Sequence, residues 1–197
     1  MSFFGKTIQT DIFGESHAPK IGVTVTGLPA GAHIDLDALQ AFCDLRAPGQ
    51  NAWSTPRREA DRVIVLSGLS PDGILDGTPF RAIIQNTNTR SGDYETAIPR
   101  PGHADFPAFV KHGRIPAGGG AYSGRMTAPL CIAGGVALQL LARKGVHADA
   151  HILSVHSVRD NAFDETDETP SETYKKTFPV LNKAAGEAMK RAILAAR

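Results

Sequence analysis

The sequence of 197 residues has little of several features that mark common protein classes. Its two cysteines, Cys43 and Cys131, lie far apart and form no CxxC pair, which argues against a disulfide framework or a cysteine zinc site. We expect them to be two buried thiols in a reducing compartment. No apolar run reaches the length of a membrane span, and the start, Met-Ser-Phe-Phe-Gly-Lys, lacks an apolar signal core. The sequence therefore predicts a cytoplasmic protein with no membrane partner.

An excess of charge of either sign is also absent. With 21 basic and 20 acidic side chains the net charge is +1, which excludes broad electrostatic binding to nucleic acid as the main activity. The chain is 42% hydrophobic and long enough for a sizeable core, and its length fits one large domain or two small ones. We expect a single domain over residues 1–197. Glycine and proline are plentiful, with 20 and 13 residues, which predicts many shaped loops and a site built from backbone.

Hydrophobic periodicity and turn residues predict most of the regular elements. The predicted strands are 3–12, 21–27, 62–68, 80–85 and 150–158. The predicted helices begin after the caps Asp35 and Asn182 and near Pro129, and the last repeats apolar residues at Ala185, Met189 and Ile193. Residues 86–124 show little periodicity but carry interleaved aromatics, so we interpret them as a site-forming region. Residues 160–172 are acidic and are predicted to form a solvated loop.

Two histidines lie in turn-rich segments where they could exchange protons near neutral pH. His17 follows Ser16 on a loop between two predicted strands, although a loop histidine exposed to water would give the same pattern. His103 follows Pro101-Gly102, and Asp105 is close enough either to orient its ring or to cap the next segment. The pair His103-x-Asp105 also leaves open a metal site, but no third ligand stands at a standard spacing.

Arginine and glycine supply the remaining candidates. The guanidinium group of arginine can bind two oxygens of a phosphate or carboxylate at once. Surface salt bridges are the alternative explanation for the many arginines in turn-rich sequence. The arginines in turn-rich sequence are Arg46, Arg57, Arg58, Arg90, Arg100, Arg114 and Arg125. The triplet Gly118-Gly119-Gly120 precedes the apolar helix, where backbone N–H groups can approach a phosphate, but it is neither a Walker A loop nor a GxGxxG motif. Together these residues predict a pocket for a small phosphorylated, carboxylated ligand.

The same segments, in the same order, resemble the chorismate synthase family up to about residue 155. The matching motifs are Phe13-Gly14-Glu15-Ser16-His17, Arg46-Ala47-Pro48-Gly49-Gln50, Ser54-Thr55-Pro56-Arg57-Arg58-Glu59-Ala60-Asp61, Arg90-Ser91-Gly92-Asp93-Tyr94, Arg100-Pro101-Gly102-His103-Ala104-Asp105 and Gly118-Gly119-Gly120 with Ser123-Gly124-Arg125-Met126-Thr127-Ala128. The resemblance implies an α+β fold of the β-α-β sandwich type, with helices packed between antiparallel sheets, and a homotetramer. It implies a lyase of the shikimate pathway, in aromatic amino acid biosynthesis, that eliminates phosphate from 5-enolpyruvylshikimate-3-phosphate to give chorismate.

The resemblance further implies reduced FMN as cofactor, with NADPH as a candidate reductant, and it assigns roles to residues. His17 would set the charge of the reduced flavin, and His103 would assist near the departing phosphate. The substrate would be held by Ser16, Arg46 and Arg125. The flavin would lie against Tyr122, Ser123 and Gly124, and no metal is implied.

This sequence departs from the family pattern in places. Ala18 stands where a glycine is common, the arginine-rich stretch before Pro48 is reduced to Arg46, and Ala52 replaces a further arginine. Family members are nearly twice as long, so we expect this chain to be truncated at its C-terminal side and to lack the second half of the family fold. The alternative hypotheses are an inactive fragment or binding module without a complete flavin site and, ranked last, a metal hydrolase using His103 and Asp105.

Overall fold

A computed structural model describes residues 2–54, 59–87, 98–166 and 172–196. The strands are β1 (Ser2–Phe4), β2 (Gln9–Gly14), β3 (Lys20–Thr26), β4 (Ile64–Ser67), β5 (Phe80–Gln85), β6 (Ser154–Val155) and β7 (Val158–Arg159). The helices are α1 (Leu36–Arg46), α2 (Asp105–His112), α3 (Thr127–Ala142) and α4 (Lys183–Ala195). The chain divides into two compact units, one of Met1–Ala47 with Arg58–Leu140 and one of Pro48–Arg57 with Leu141–Arg197.

The first unit is built on an antiparallel sheet. In the part of the chain that is described, the sheet has five strands in the order β1-β2-β3-β5-β4. Alternation along β3 places Ile21, Val23 and Val25 on one face, and the partner strand β5 places Phe80 and Ile84 on the same face. This face is buried, which is why the β-branched run 21–27 was a reliable strand signal.

Helices α1 and α3 cover the buried face of the sheet. Leu39 of α1 and Ile132 and Val136 of α3 belong to the same hydrophobic core as the strand residues. Helix α1 begins where the sequence predicts, because the Asp35 carboxylate accepts a hydrogen bond from the backbone N–H of Ala38 at 2.9 Å. The predicted α+β class with antiparallel sheets and packed helices is confirmed.

Helix α2 corrects the interpretation of residues 86–124 as an aperiodic region. It spans two turns, and Pro107 falls in the first turn, where a proline removes no helical hydrogen bond. Its apolar residues Phe106, Phe109 and Val110 are 61%, 49% and 69% exposed, while the small Ala108 is buried. The pattern escaped detection because the helix is short and its apolar side chains face outward rather than into the core.

The second unit has a small core of its own. Helix α4 starts as predicted, since Asn182 accepts hydrogen bonds from Ala184 N and Ala185 N, and Met189 is fully buried against Phe178 and Val180. Trp53 packs against this core, with its ring edge-on to Phe178 at 5.9 Å between centroids.

Two sequence predictions in the second unit were wrong. The strand expected over 150–158 shrinks to the two-residue strands β6 and β7, which pair with each other. The acidic stretch is not solvated throughout, because Asp160 is 1% exposed and accepts hydrogen bonds from Leu181 N at 2.6 Å and Asn182 N at 2.8 Å. A buried carboxylate with two backbone donors is not distinguishable by sequence from a surface acid.

Candidate functional site

The loop between β2 and β3 carries Ser16 and His17 and is held at both ends; we call Glu15–Ala18 the His17 loop. Ser16 is buried and donates its backbone N–H to the Gly120 carbonyl at 3.2 Å. Ala18 N donates to Glu15 O at 3.0 Å, which closes the loop on itself. The loop is therefore attached to the glycine triplet, a contact that the sequence did not predict.

The glycine triplet makes room for the His17 ring. Gly118, Gly119 and Gly120 all have positive φ angles, of 60°, 81° and 53°. A Cβ atom on Gly118 would lie 2.0 Å from Cε1 of His17 and 2.3 Å from its Nδ1. Only glycine permits both this backbone conformation and this approach. The triplet therefore forms one wall of the site that holds the His17 ring.

A cluster of opposite charges lies at the start of α3, and we call Arg46, Glu59, Asp61 and Arg125 the arginine cluster. The Asp61 carboxylate joins the two arginines, one oxygen bonding Arg46 Nη1 at 2.6 Å and the other bonding Arg125 Nη1. Arg125 Nε also lies 3.2 Å from Glu59 Oε2. The Arg125, Asp61 and Glu59 side chains are 3%, 1% and 1% exposed, whereas Arg46 is 23% exposed.

The two arginines predicted to bind anions are thus brought together, and each is already paired with a carboxylate. The formal charge of the four side chains is zero, so an arriving anion meets directed N–H donors rather than a strong net field. Within the described residues, Nη2 of Arg125 is buried and has no hydrogen-bond partner. A buried donor without a partner is costly, and an oxygen atom of a ligand would satisfy it.

Backbone groups extend the cluster to Ser123 and Gly124. Arg46 Nε donates to the Thr127 hydroxyl at 3.0 Å, and its Nη2 lies 3.4 Å from the Gly124 carbonyl. The Ser123 hydroxyl accepts from Arg125 N at 3.2 Å and so caps the short turn that leads into α3. The predicted substrate and cofactor residues around 123–125 are therefore consecutive parts of one turn.

Asn86, directly after β5, connects the His17 loop to the arginine cluster. Its Nδ2 donates to Ala18 O at 2.7 Å and to Ser16 O at 3.2 Å, and its Oδ1 accepts from Arg125 Nε at 3.0 Å. Sequence reasoning placed Asn86 in the site-forming region but gave it no role. The signal that could have singled it out is a polar amide at the end of a strand whose inner face is apolar.

Tyr122 and His103 lie apart from this hydrogen-bonded group in the described residues. The Tyr122 side chain is 43% exposed, and its hydroxyl is 3.4 Å from Nε2 of His112. His103 is exposed, and its Nδ1 is 3.1 Å from the Pro101 carbonyl. Among those residues no hydrogen bond or ion pair joins His103 to His17 or to the arginine cluster, and its role stays a prediction.

Asp105 neither orients the His103 ring nor caps through a backbone N–H of α2. Its two oxygens accept from Arg100, at 2.7 Å from Nε and 2.9 Å from Nη2, and from Arg100 N at 3.1 Å. The hydrogen bonds from Arg100 lower the pKa of Asp105 to about 2. The residues that the structure describes contain no group of three or more His, Cys, Asp or Glu arranged to hold a metal ion.

The remaining arginines and the cysteines complete the comparison with the sequence. Arg114 forms an exposed ion pair with Glu15, so a surface salt bridge explains one of the seven arginines. Arg57, Arg58 and Arg90, with the motif 90–94, lie outside the described residues.

Both cysteines are free thiols, and burial together with the neighbouring Cys131 raises the pKa of Cys43 to about 12. Burial also raises the pKa of Cys131.

Among the described residues, one helical stretch, Gly124–Ala142, is long and apolar enough to cross a membrane by length and composition, but 39% of it is buried in the fold and it supplies core residues. Such a helix is equally typical of a protein core.

The fold and site define an α+β protein with an antiparallel sheet, a histidine loop against a glycine triplet, and a buried arginine, Arg125, with an unsatisfied donor. The sequence model of the chorismate synthase family matches residues 8–197, and the chain belongs to this family. It is 50% identical over 166 residues to a chorismate synthase of Lancefieldella parvula, covering 82% of this chain and 43% of that protein. It is 39% identical to one of Methanocella arvoryzae, covering 98% of this chain and 52% of the relative.

A solved structure agrees with the fold. A crystal structure of chorismate synthase superposes with a TM-score of 0.53 at 22% identity, covering 72% of this chain and 36% of that one. The chain spans about half the length of the curated relatives that it matches.

Proposed function

We propose that this chain carries the histidine loop and anion site of a lyase that eliminates phosphate from 5-enolpyruvylshikimate-3-phosphate to give chorismate. The observation that carries the proposal is Nη2 of Arg125, a buried donor without a partner among the described residues, in a chain of the chorismate synthase family. A phosphorylated, carboxylated substrate offers the oxygen atoms that such a donor requires.

In this proposal Arg46 and Arg125 bind the substrate anions from the same turn of chain. Asp61 fixes both guanidinium groups before the ligand arrives, so little rotamer freedom is lost on binding. Ser16 and Ser123 add hydrogen bonds. His103, which is exposed, stabilises the departing phosphate and supplies or accepts a proton there.

The family is flavin-dependent, and we propose reduced FMN as the cofactor of this chain. The exposed Tyr122 ring and Gly124 backbone leave the segment 122–124 accessible to a planar ligand. His17, packed against Gly118, holds the proton that sets the charge of the reduced flavin. When bound, reduced FMN would supply a transient electron with no net redox change, and NADPH is the proposed reductant.

The experiment is an anaerobic titration of reduced FMN and substrate into the 197-residue protein, followed by chorismate absorbance and by flavin binding. We expect turnover that falls by at least about 100-fold in His17→Ala and in His103→Ala. Arg125→Lys should raise KM, because a lysine lacks the planar fork. Arg159→Lys, which alters an exposed arginine paired with Glu165 and belonging to neither the arginine cluster nor the His17 loop, is the matched control and should change neither constant.

A second candidate function is a binding module without turnover. The observation in its favour is the coverage of 43% and 52% of two relatives. Flavin or substrate binding without chorismate would support this candidate, and unchanged turnover in both histidine variants would refute the assigned roles.

We also propose a homotetramer acting on a small molecule in the cytoplasm. Light scattering on the purified chain at several concentrations tests the assembly, because a mass near four times 20.9 kDa is expected. A constant mass near that of one chain would refute it.

A further inference from the structure

We propose that Asn86 is a positioning residue that holds the His17 loop and the arginine cluster in fixed relation. Its side chain joins them by hydrogen bonds, with Nδ2 donating to the loop carbonyls and Oδ1 accepting from Arg125. Its backbone N–H adds a third tie, donating to the Pro19 carbonyl at 3.0 Å. Asn86 therefore binds the chain just after the His17 loop as well as the loop itself at Ser16 and Ala18.

The chemistry of the surroundings requires an amide. The Asn86 Nδ2 atom faces backbone carbonyl oxygens of the His17 loop, which need a donor. The Oδ1 atom faces the Nε–H of Arg125, which needs an acceptor. An aspartate keeps the acceptor but sets an oxygen against carbonyl oxygens. An alanine loses both contacts and leaves polar groups without partners. Neither aspartate nor alanine reproduces both the donor contact and the acceptor contact of Asn86.

The bonds form a continuous path from one predicted ligand site to the other. Arg46 and Arg125 share Asp61, Arg125 donates to Asn86, and Asn86 donates to the loop that carries His17. A shift of the Arg125 guanidinium toward a bound anion would therefore pull on the histidine loop. This use of the path rests on the proposed function, but the connection itself can be tested without flavin, substrate or turnover.

The test is amide hydrogen exchange by NMR on the full chain. The Ser16 and Ala18 amides report on the loop, and Val23 and Ile84 in the sheet provide the reference. In Asn86→Ala we expect loop exchange to accelerate about ten-fold relative to the sheet, which corresponds to about 1.4 kcal/mol of lost hydrogen bonding. In Asn86→Asp the loop should accelerate while the Arg125 Nε–H signal persists, because the acceptor remains.

Coupling is tested with Arg125→Lys, which keeps the charge but removes the Nε–H donor. The lysine variant should accelerate loop exchange when Asn86 is present and add little in an Asn86→Ala background. Thr87→Ala, an exposed neighbour, is the control and should leave every rate unchanged.

Either of two outcomes would overturn the proposal. The first is additive effects of the Arg125 and Asn86 substitutions, and the second is equal acceleration of loop and sheet amides, which denotes only global destabilisation. Absence of turnover with normal coupling would refute the proposed function and leave this inference standing.

Discussion

Single residues determine how much room the His17 ring has. Gly118 contacts the ring so closely that any side chain would collide with it, whereas a Cβ on the neighbouring Gly119 would lie 3.7 Å from Ser123 Cβ, an ordinary contact. Both glycines have positive φ, so both pay the same conformational cost on substitution. The pair separates backbone strain from the steric effect on the histidine.

We expect Gly118→Ala to lower the free energy of unfolding by more than Gly119→Ala does. The backbone term is about 1–2 kcal/mol at either position, and displacement of the His17 ring adds a further term of about 1–3 kcal/mol at Gly118. Urea unfolding followed by circular dichroism measures the difference. Equal losses in the two variants would mean that the ring moves aside freely.

A second prediction at this scale concerns acid. Arg100 lowers the pKa of Asp105 from its ordinary value of 3.8 to about 2, so the folded state releases this proton more readily than the unfolded chain. The stabilisation is complete above about pH 4 and is lost as the pH falls toward 2. Asp105→Asn should flatten the pH dependence of the unfolding midpoint within that window and nowhere else. A pH profile parallel to that of the unaltered protein would contradict the ion pair.

At the scale of elements, the packing of α3 on α1 depends on a glycine. A Cβ on Gly135 would lie 2.6 Å from Leu39 Cδ1 and 3.1 Å from Phe42 Cδ1, whereas one on Gly134 would lie 3.7 Å from Phe42 Cε1. The two helices therefore approach closely at Gly135. Alanine favours a helix over glycine at either site, but its methyl group would overlap a neighbouring side chain only at Gly135. Substitution should therefore change the free energy of unfolding with opposite sign at the two positions.

We expect Gly134→Ala to raise the free energy of unfolding by up to about 1 kcal/mol, from helix propensity. Gly135→Ala should lower it by about 1–3 kcal/mol, because overpacking displaces Leu39 from the core. Thermal unfolding of both variants checks the sign. A stabilising Gly135→Ala would show that α1 can move away from α3 at little cost.

The elements show where sequence reasoning succeeds and where it fails. Helix α1 was predictable because Asp35 caps it and Leu39 and Cys43 repeat on its buried side. Helix α2 was not, since its apolar residues are exposed and only Ala108 and Asp105 are buried. In the site, motifs identified Arg46 and Arg125, but their shared partner Asp61 lies at a separation that no local pattern encodes. Asn86 was missed for the same reason.

At the scale of the whole molecule, the chain belongs to the family but spans only part of the length of its relatives. The chain matches the family over residues 8–197 but spans about half of its curated relatives. The histidine loop and arginine cluster form within the unit Met1–Ala47 with Arg58–Leu140. Folding of this unit and turnover by the chain therefore need separate measurements.

Trp53 gives the chain a spectroscopic property that follows from its position. It is the single tryptophan, and it packs on Phe178 with Lys190 Nζ 4.6 Å from its ring centroid. Its intrinsic fluorescence therefore reports on the smaller unit, while the far-ultraviolet signal of the sheet reports on the larger one. Coincident urea transitions by the two probes are expected if both units unfold together, and separated transitions would identify two cooperative folding units.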